Sequence, residues 1–528
     1  MILNWLLLIP LLGGVVAWLV GLRRPMWSRW LSLAALGAYF ILVLALWVTN
    51  VDRLTVATEQ PWLLQFDSAW IPQIGARYHL ALDGLSLVLL ALTGLLSLLA
   101  VATSWQEIQD RVGFFHFNLL WAVAALTGVF LAVDLLLFSF FWEVMLVPLY
   151  LLIGIWGHER RIYATLKFVL FTQLGGLLML VAILGLYFLH GDTTGIYTFD
   201  YQSLLGTNVA FPRLAFWLML GFFAAFAVKL PAFPLHSWLP DAHTEAPTAG
   251  SVLLAGLVLK AGAYGFLRFL FPLFPQAAAS FAPVAMGLGV IGILYGAVMA
   301  FAQTDLKRMV AYTSVSHMGF ILLGVFSRHN LAWQGAVVIM VAHGLSTSGL
   351  FMLVGDLYQR LGTRDITRMG GLWTLAPRMS RIALMLALAS LGLPGLVNFV
   401  GEYLVLVGVY KTNSWMAGAA AVGLVIATVY SLWMLQRIFT GENVAGWHIA
   451  DYGRRELAIM TVVVVLLVGL GLYPQLLLNT TQTALTHLQA TTAATESSVG
   501  QAQTLVQPYE QLPAAGGDGT AYSLERGK

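Results

Sequence analysis

Four ionisable side chains stand inside long apolar runs. Lys229 lies in LMLGFFAAFAVKLPAF, Lys260 in SVLLAGLVLKAGAYG, Glu143 in LLLFSFFWEVMLVPLYLL and Glu402 in VNFVGEYLVLVGVY. Two histidines share that setting, His317 in AYTSVSHMGFILLG and His343 in VIMVAHGLSTSGLF. A charged side chain at a bilayer centre costs at least about 2.5–3.5 kcal/mol, so four unpaired ones would cost on the order of 10 kcal/mol. Side chains kept at that cost must face protein or water. The chemistry they suit is proton movement. Desolvation makes a lysine give up its proton more readily, and a nearby carboxylate reverses the effect. A Glu143–Lys229 pair is therefore an electrostatic switch. The bland alternative is a buried ion pair that only fixes helix packing, but such pairs rarely add net stability over apolar replacements. Histidine titrates near neutrality and relays protons. Thr313, one turn before His317, and the nearby Ser314 and Ser316 could order water.

Other polar groups invite blander readings. Asp83 and Arg268 are expected at the membrane interface, and Asp134 toward an outlet. His236, Asp241 and His243 in LHSWLPDAHTEAP belong to a loop and lack a metal-site spacing. No nucleotide loop, haem-ligand pair or Ser-His-Asp arrangement stands out.

The elements that must hold these residues follow from composition. The chain of 528 residues is 59% hydrophobic and only 10% charged, with mean hydropathy +0.82. Soluble domains carry about 25% charged residues. Apolar runs near 20 residues recur throughout, each long enough to cross a hydrocarbon layer as a helix. We expect fourteen such helices, among them 380–410 and 456–478, and read the N-terminal run as a retained first helix. The segment 50–78 should lie at the interface, and the tail beyond 479 should be largely flexible. Lys and Arg concentrate in loops after odd-numbered helices, which places those loops in the cytoplasm and both termini outside. A net charge of +3, scattered through short loops, argues against nucleic acid. The absence of cysteine excludes thiolate metal centres, iron–sulfur clusters and disulfides on this chain.

A faint internal repeat accompanies the charges. His317 follows Glu143 by 174 residues, and Glu402 follows Lys229 by 173. Lys229 and Glu402 each adjoin helix-breaking sequence, at Pro231 and Pro234 and at LGLPG respectively. Paired interrupted helices point to a transporter built from repeats. Five helices separate each pair, and an odd number per repeat would invert the second copy.

The segments FFWEVMLVPLYLLIGIWG, FAVKLPAFPLHSWLPDAHTEAPTAGSVLLAGLVLKAGAYG, FAQTDLKRMVAYTSVSHMGF and LPGLVNFVGE resemble the antiporter-like subunits of respiratory complex I, most closely the chain M type, over about residues 1–480. The resemblance implies an all-α polytopic fold of about fourteen transmembrane helices, two inverted five-helix repeats (helices 4–8 and 9–13) and broken helices 7 and 12. It divides the chain into 1–110 (helices 1–3), 111–275 and 276–442 (the repeats), 443–480 (helix 14) and a flexible periplasmic tail, 481–528. It implies that Glu143 pairs with the pumping lysine, Lys229. Lys260, His317 and His343 would form a central hydrophilic axis, and Glu402 would stand at its outlet. It implies a translocase subunit of NADH:quinone oxidoreductase in the bacterial inner membrane. The partners would be L-type and N-type antiporter-like subunits, the L-type lateral helix, small membrane subunits and lipids. FMN, iron–sulfur clusters, NADH and quinone would sit on partner chains, with no cofactor here. Multisubunit cation/proton antiporters and membrane-bound hydrogenases carry related subunits. Two readings from other classes are an independent cation/proton antiporter and a structural spacer with fossil charges.

Overall fold

The computed structural model describes residues 1–55, 61–207, 211–443 and 445–506. The architecture is a helical bundle with one small hairpin. In chain order the helices are α1 (Ile2–Gly21), α2 (Pro25–Thr49), α3 (Gly84–Glu107), α4 (Val112–Leu131), α5 (Leu135–Trp156) and α6 (Arg161–Thr194). There follow α7 (Pro212–Lys229), α8 (Trp238–Glu245), α9 (Thr248–Leu273), α10 (Pro275–Phe301), α11 (Leu306–Phe326) and α12 (Asn330–Leu361). The last are α13 (Pro377–Ser390), α14 (Val397–Thr412), α15 (Ser414–Phe439), α16 (Arg454–Leu472) and α17 (Gln475–Val506). Among the described residues, thirteen helices are long and apolar enough to cross a membrane. The region 380–410, expected as the one remaining span, is instead two shorter helices, α13 and α14.

Burial sorts the helices into shells. The best apolar windows of α9, α11 and α12 are wholly buried, whereas those of α1, α2 and α16 are 33, 28 and 22% buried. The outer helices turn large apolar side chains outward, such as Leu166, Leu170, Leu174 and Val181 on α6. Lys260, His317 and His343 thus ride on the three innermost helices, as membrane ionisable groups must. Close backbone approach between α10 and α11 is permitted by Gly289, Gly296 and Gly319.

Both expected interruptions are present. The helix α7 ends at Lys229 and the chain resumes helix at Trp238. Pro231 and Pro234 supply no backbone donor between them. The helix α13 ends at Ser390 and α14 starts at Val397. Gly392 and Gly395 hold φ of +75° and +97° in that gap, a conformation natural to glycine. The predicted single spans 212–236 and 380–410 are accordingly each shorter than expected or split.

Several expectations need correction. Within the interfacial segment, Leu64–Ile71 (β1) and Ala76–Leu82 (β2) pair antiparallel, with Leu64 opposite Leu82 and Phe66 opposite Leu80. Gly75, at φ +70°, turns the chain, and Arg77 clasps Asp67 at 2.6 Å. Residues 56–60 of that segment lie outside the described residues. The tail is not a loose extension through residue 506. Helix α17 packs along α3 and α12, Thr483 Oγ1 donates to the Leu54 carbonyl at 2.6 Å, and Arg328 pairs with Glu496 at 2.7 Å. The expectation for 507–528 lies outside the described residues. Asp83 and Arg268, expected at the interface, do not reach into solvent. Both are buried and form an ion pair joining the start of α3 to α9. Trp62 and Tyr264 flank the guanidinium. Asp134 caps α5, accepting from the backbone N–H groups of Leu136, Leu137 and Arg77 at 3.0 Å each.

Candidate functional site

The six residues singled out by sequence fall into two groups. The first is Glu143 with Lys229. Glu143 sits on α5 just before Met145, where the helix is offset by Pro148, whose ring clashes with the carbonyl four residues back. Its carboxylate packs against Gly176 of α6, a position any side chain would fill. Lys229 is the last residue of α7, where the helix's partial negative end favours a cation. It is fully buried, with Nζ 5.4 Å from the Trp142 ring centroid and 5.8 Å from that of Phe168. Lys229 Nζ has no hydrogen-bond partner, and the Glu143 carboxylate has Gln173 of α6 as its polar neighbour. The two face each other electrostatically without touching. Such a pair is poised rather than locked.

The second group is continuous. Two π-helical turns, Leu254–Val258 and Phe266–Leu270, flank Lys260 on α9. The first lets Nζ reach the Ala255 carbonyl at 2.5 Å. The same Nζ lies 2.7 Å from Nδ1 of His343. The His343 and His317 rings are 5.6 Å apart between centroids, edge to face. His317 Nε2 lies 3.2 Å from the Ser390 carbonyl and 3.5 Å from Oε1 of Glu402. Ser390 ends α13, so the helix break supplies that carbonyl. Gly392, in the break, packs against the Glu402 carboxylate. All four residues are at most 2% exposed. Because a carbonyl only accepts, Nε2 of His317 carries the hydrogen and donates. Nδ1 of His317 and Nε2 of His343 have no partner.

Direct side-chain contact does not join Lys229 to Lys260. The link is through backbone: Gly262 of α9 packs closely on Phe226 and Leu230 at the end of α7. Thr313 and Ser314 spend their hydroxyls on the Val310 carbonyl, and Ser316 bonds the Ile293 carbonyl.

Sequence reading placed His243 in a loop and weighed it only as a metal ligand. It sits on α8, not in a loop, and is fully buried. Its ring stacks on Phe351 at 4.6 Å and 12°, and neither nitrogen has a partner. A Ser-Trp-Leu-Pro-Asp start, with proline and an acid in the first turn, was the available helix signal. His236 packs between Phe233 and Tyr295, and Asp241 bridges Lys167 and Arg308 at 2.7 and 3.0 Å. Among the described residues no group of His, Asp and Glu is arranged to hold a metal ion.

Known proteins resemble this chain in sequence and fold. Residues 132–428 match the family described as NADH:quinone oxidoreductase/Mrp antiporter, transmembrane. NADH-quinone oxidoreductase subunit M of Pseudomonas aeruginosa is 54% identical over 487 residues, 91% of this chain and 96% of that one. The protein of the same name from Escherichia coli K12 is 51% identical over 501 residues, covering 93% and 98%. A chain of respiratory complex I from Thermus thermophilus superposes with TM-score 0.82 at 34% identity, covering 93% of this chain and 99% of that one. A chain of the Mrp complex from Dietzia sp. DQ12-45-1b gives 0.81 at 21% identity, covering 94% and 99%, a likeness of fold alone. The helical architecture, the two broken crossings and these matches together make this chain a member of the NADH:quinone oxidoreductase/Mrp antiporter family of multi-pass membrane proteins.

Proposed function

We propose that this chain carries protons across a bacterial inner membrane as an antiporter-like, chain M-type subunit of NADH:quinone oxidoreductase. The observation that carries the reading is the buried file Lys260–His343–His317–Glu402, which runs across the three innermost helices to the break between α13 and α14. NADH oxidation and quinone reduction, with flavin and iron–sulfur clusters, belong to partner chains. Neighbouring L-type and N-type subunits, small membrane subunits and the L-type lateral helix supply the remaining membrane arm. Both termini face the periplasm in this reading. Residues 111–275 and 276–442 form two inverted repeats whose broken helices present Lys229 and Glu402.

The file has a defined order of events. With Lys260 as an ammonium, Nδ1 of His343 accepts its hydrogen bond and is the first recipient. A bridging water between the two rings then delivers a proton to the free Nδ1 of His317, as water commonly completes polar contacts of this length. The hydrogen already on Nε2 leaves to Glu402, close enough at 3.5 Å to take it. Glu402 releases it to the periplasmic side. The untouching Glu143–Lys229 pair receives the signal from the redox-driven neighbour. Drawing the two together holds the proton on Lys229, and parting them releases it toward the file.

The test is NADH-driven proton uptake in inverted membrane vesicles, with complex assembly checked first. Glu143→Gln keeps size and removes charge. Uptake and quinone-dependent NADH oxidation should fall together by about tenfold or more, the scale of removing a positioned acid–base group. Normal rates of both in the assembled variant would make the charge structural and sink this mechanism.

A further inference from the structure

Two directions lead away from Lys260. One runs sideways to His343 on α12, in contact at 2.7 Å. The other runs straight on along α9, away from the basic loops that flank its start. Tyr264 stands one turn further on the same face of α9, as helix residues four apart do. Arg268 comes next, and its Nε donates to the Tyr264 hydroxyl at 3.2 Å. That hydroxyl donates in turn to the Phe130 carbonyl of α4 at 3.1 Å, with Ser86 Oγ of α3 3.4 Å away. Nη2 of Arg268 binds Asp83, whose other oxygen accepts from the Ser86 N–H at 2.9 Å. The Trp62 ring covers the guanidinium at 4.9 Å. Every member of this cluster is buried. It ties α3, α4 and α9 together across the straight path.

Near the outer end of α9 the chain meets solvent again. Tyr201 packs on Phe269 at 5.6 Å, and Asp200 beside it holds Nδ1 of His79 at 3.1 Å. The Asp200 side chain is partly exposed. A carboxylate and an imidazole able to accept protons thus stand close to Arg268. Arginine cannot relay a proton to them from Lys260, because it does not deprotonate in proteins. Its fixed charge, in surroundings of low dielectric, also repels any proton that approaches. The contacts give the pair a direction. Nε meets Tyr264 on the Lys260 side, and Nη2 meets Asp83. The cationic end therefore faces inward. A buried ion pair seldom adds stability over apolar side chains of similar size, so its presence suits a barrier to charge better than a staple.

We propose that Arg268 fixes the direction of proton exit. Held by Asp83, Tyr264 and Trp62, it seals the straight path along α9, so that a proton on Lys260 leaves only through His343. The inference rests on the proton file proposed above. Arg268 takes no proton itself. It is a positioning residue that closes the shorter way to solvent and leaves the file as the open one.

Passive leak is the readout, because a seal acts whether or not the pump turns. Vesicles carrying the assembled complex receive a pH step without NADH, and its decay is followed with a pH dye. Arg268→Gln alone would strand Asp83 as an unpaired buried charge and disturb the fold. Arg268→Gln combined with Asp83→Asn removes both charges and keeps groups that hydrogen-bond. Quinone-dependent NADH oxidation in uncoupled vesicles checks that this variant is intact. The paired variant should speed the decay about tenfold, a modest lowering of a barrier on the exponential scale that rates follow. Proton uptake per NADH oxidised should fall with it. Arg268→Lys, which keeps a cation beside Asp83, should stay close to the wild-type decay. Adding Lys260→Ala to the paired variant should restore slow decay, since the path begins at that amine. Wild-type decay in the paired variant would overturn the seal and leave the file intact. Fast decay that persists with Lys260→Ala would place the leak elsewhere and overturn it too. Normal NADH-driven uptake by Lys260→Ala alone would overturn the file, and the direction assigned to Arg268 with it.

Discussion

Lys260 is held by one carbonyl and one imidazole, with no carboxylate in contact. That environment tests whether the residue is needed for its charge or for its ability to lose it. Arginine keeps the charge but does not deprotonate in proteins. Lys260→Arg should therefore assemble and yet lose proton uptake by about tenfold or more, read as NADH-driven quenching of a pH dye in vesicles. Retained uptake would mean that a fixed positive charge suffices. The identities of all six candidate residues were legible in the sequence, because an ionisable group in an apolar run is conspicuous. Which ones touch was not. Lys260 and His343 are 83 residues apart, and only tertiary packing places Nζ on Nδ1. The helix and burial of His243 were missed because a short polar helix between two prolines reads as a loop.

At the scale of elements, the interruptions are readable because proline and glycine act through local sterics. Features that depend on distant partners are not. The Asp83–Arg268 pair spans 185 residues, and each member alone looks like a group reaching for the interface. The hairpin was hidden by a short run whose alternation is broken by Pro72. The cap of α13 is another case. Its first residue follows Ala376, which has no side chain able to cap. Asp451, far along the chain, takes that role by accepting from the N–H groups of Arg378 and Met379 at 2.9 and 3.0 Å. Burial alone would raise its carboxyl, but these bonds and that from Tyr452 outweigh it and hold it below its ordinary range. A depressed acid stabilises the fold above its unfolded-state pKa, and this contribution is lost as pH falls through the folded value. Asp451→Ala should cost about 1 kcal/mol at neutral pH, as other lost caps do. The gap between variant and wild type, followed by thermal unfolding, should shrink as the medium is made strongly acidic. A gap that stays constant with pH would remove the carboxylate from the explanation.

Across the whole molecule, α9, α11 and α12 form a centre that never meets lipid, and the remaining helices insulate it. The long apolar helices were legible from hydropathy alone, since the bilayer imposes their length: fourteen were expected, and thirteen stand among the described residues as single helices long enough to cross. The course of α17 was not, because its Thr- and Ala-rich sequence has no apolar run long enough to announce a span. It belts α3 and α12 on the face opposite the basic loops, with the Thr480 carbonyl seated on Gly84. Removing residues from 475 onward should lower the unfolding midpoint of the purified complex by several degrees, the shift expected when packing of a few kcal/mol is lost. Arg328→Ala, which breaks only a half-exposed ion pair, should cost less than about 1 kcal/mol. An unchanged midpoint after truncation would show that the belt adds nothing to stability.

The carbonyl of Ser390 gives His317 a memory. On the proposed relay, each passage would leave the ring with its hydrogen on the nitrogen where the proton arrived, the reverse of the form that the Ser390 carbonyl favours. The imidazole must swing over or exchange its hydrogen before it can serve again, and the broken helix pulls it back to one orientation. Under that proposal such a ring would behave as a ratchet tooth, admitting one proton per reset. A membrane held at high voltage would then bleed protons through this chain only as fast as the tooth re-engages, however steep the gradient.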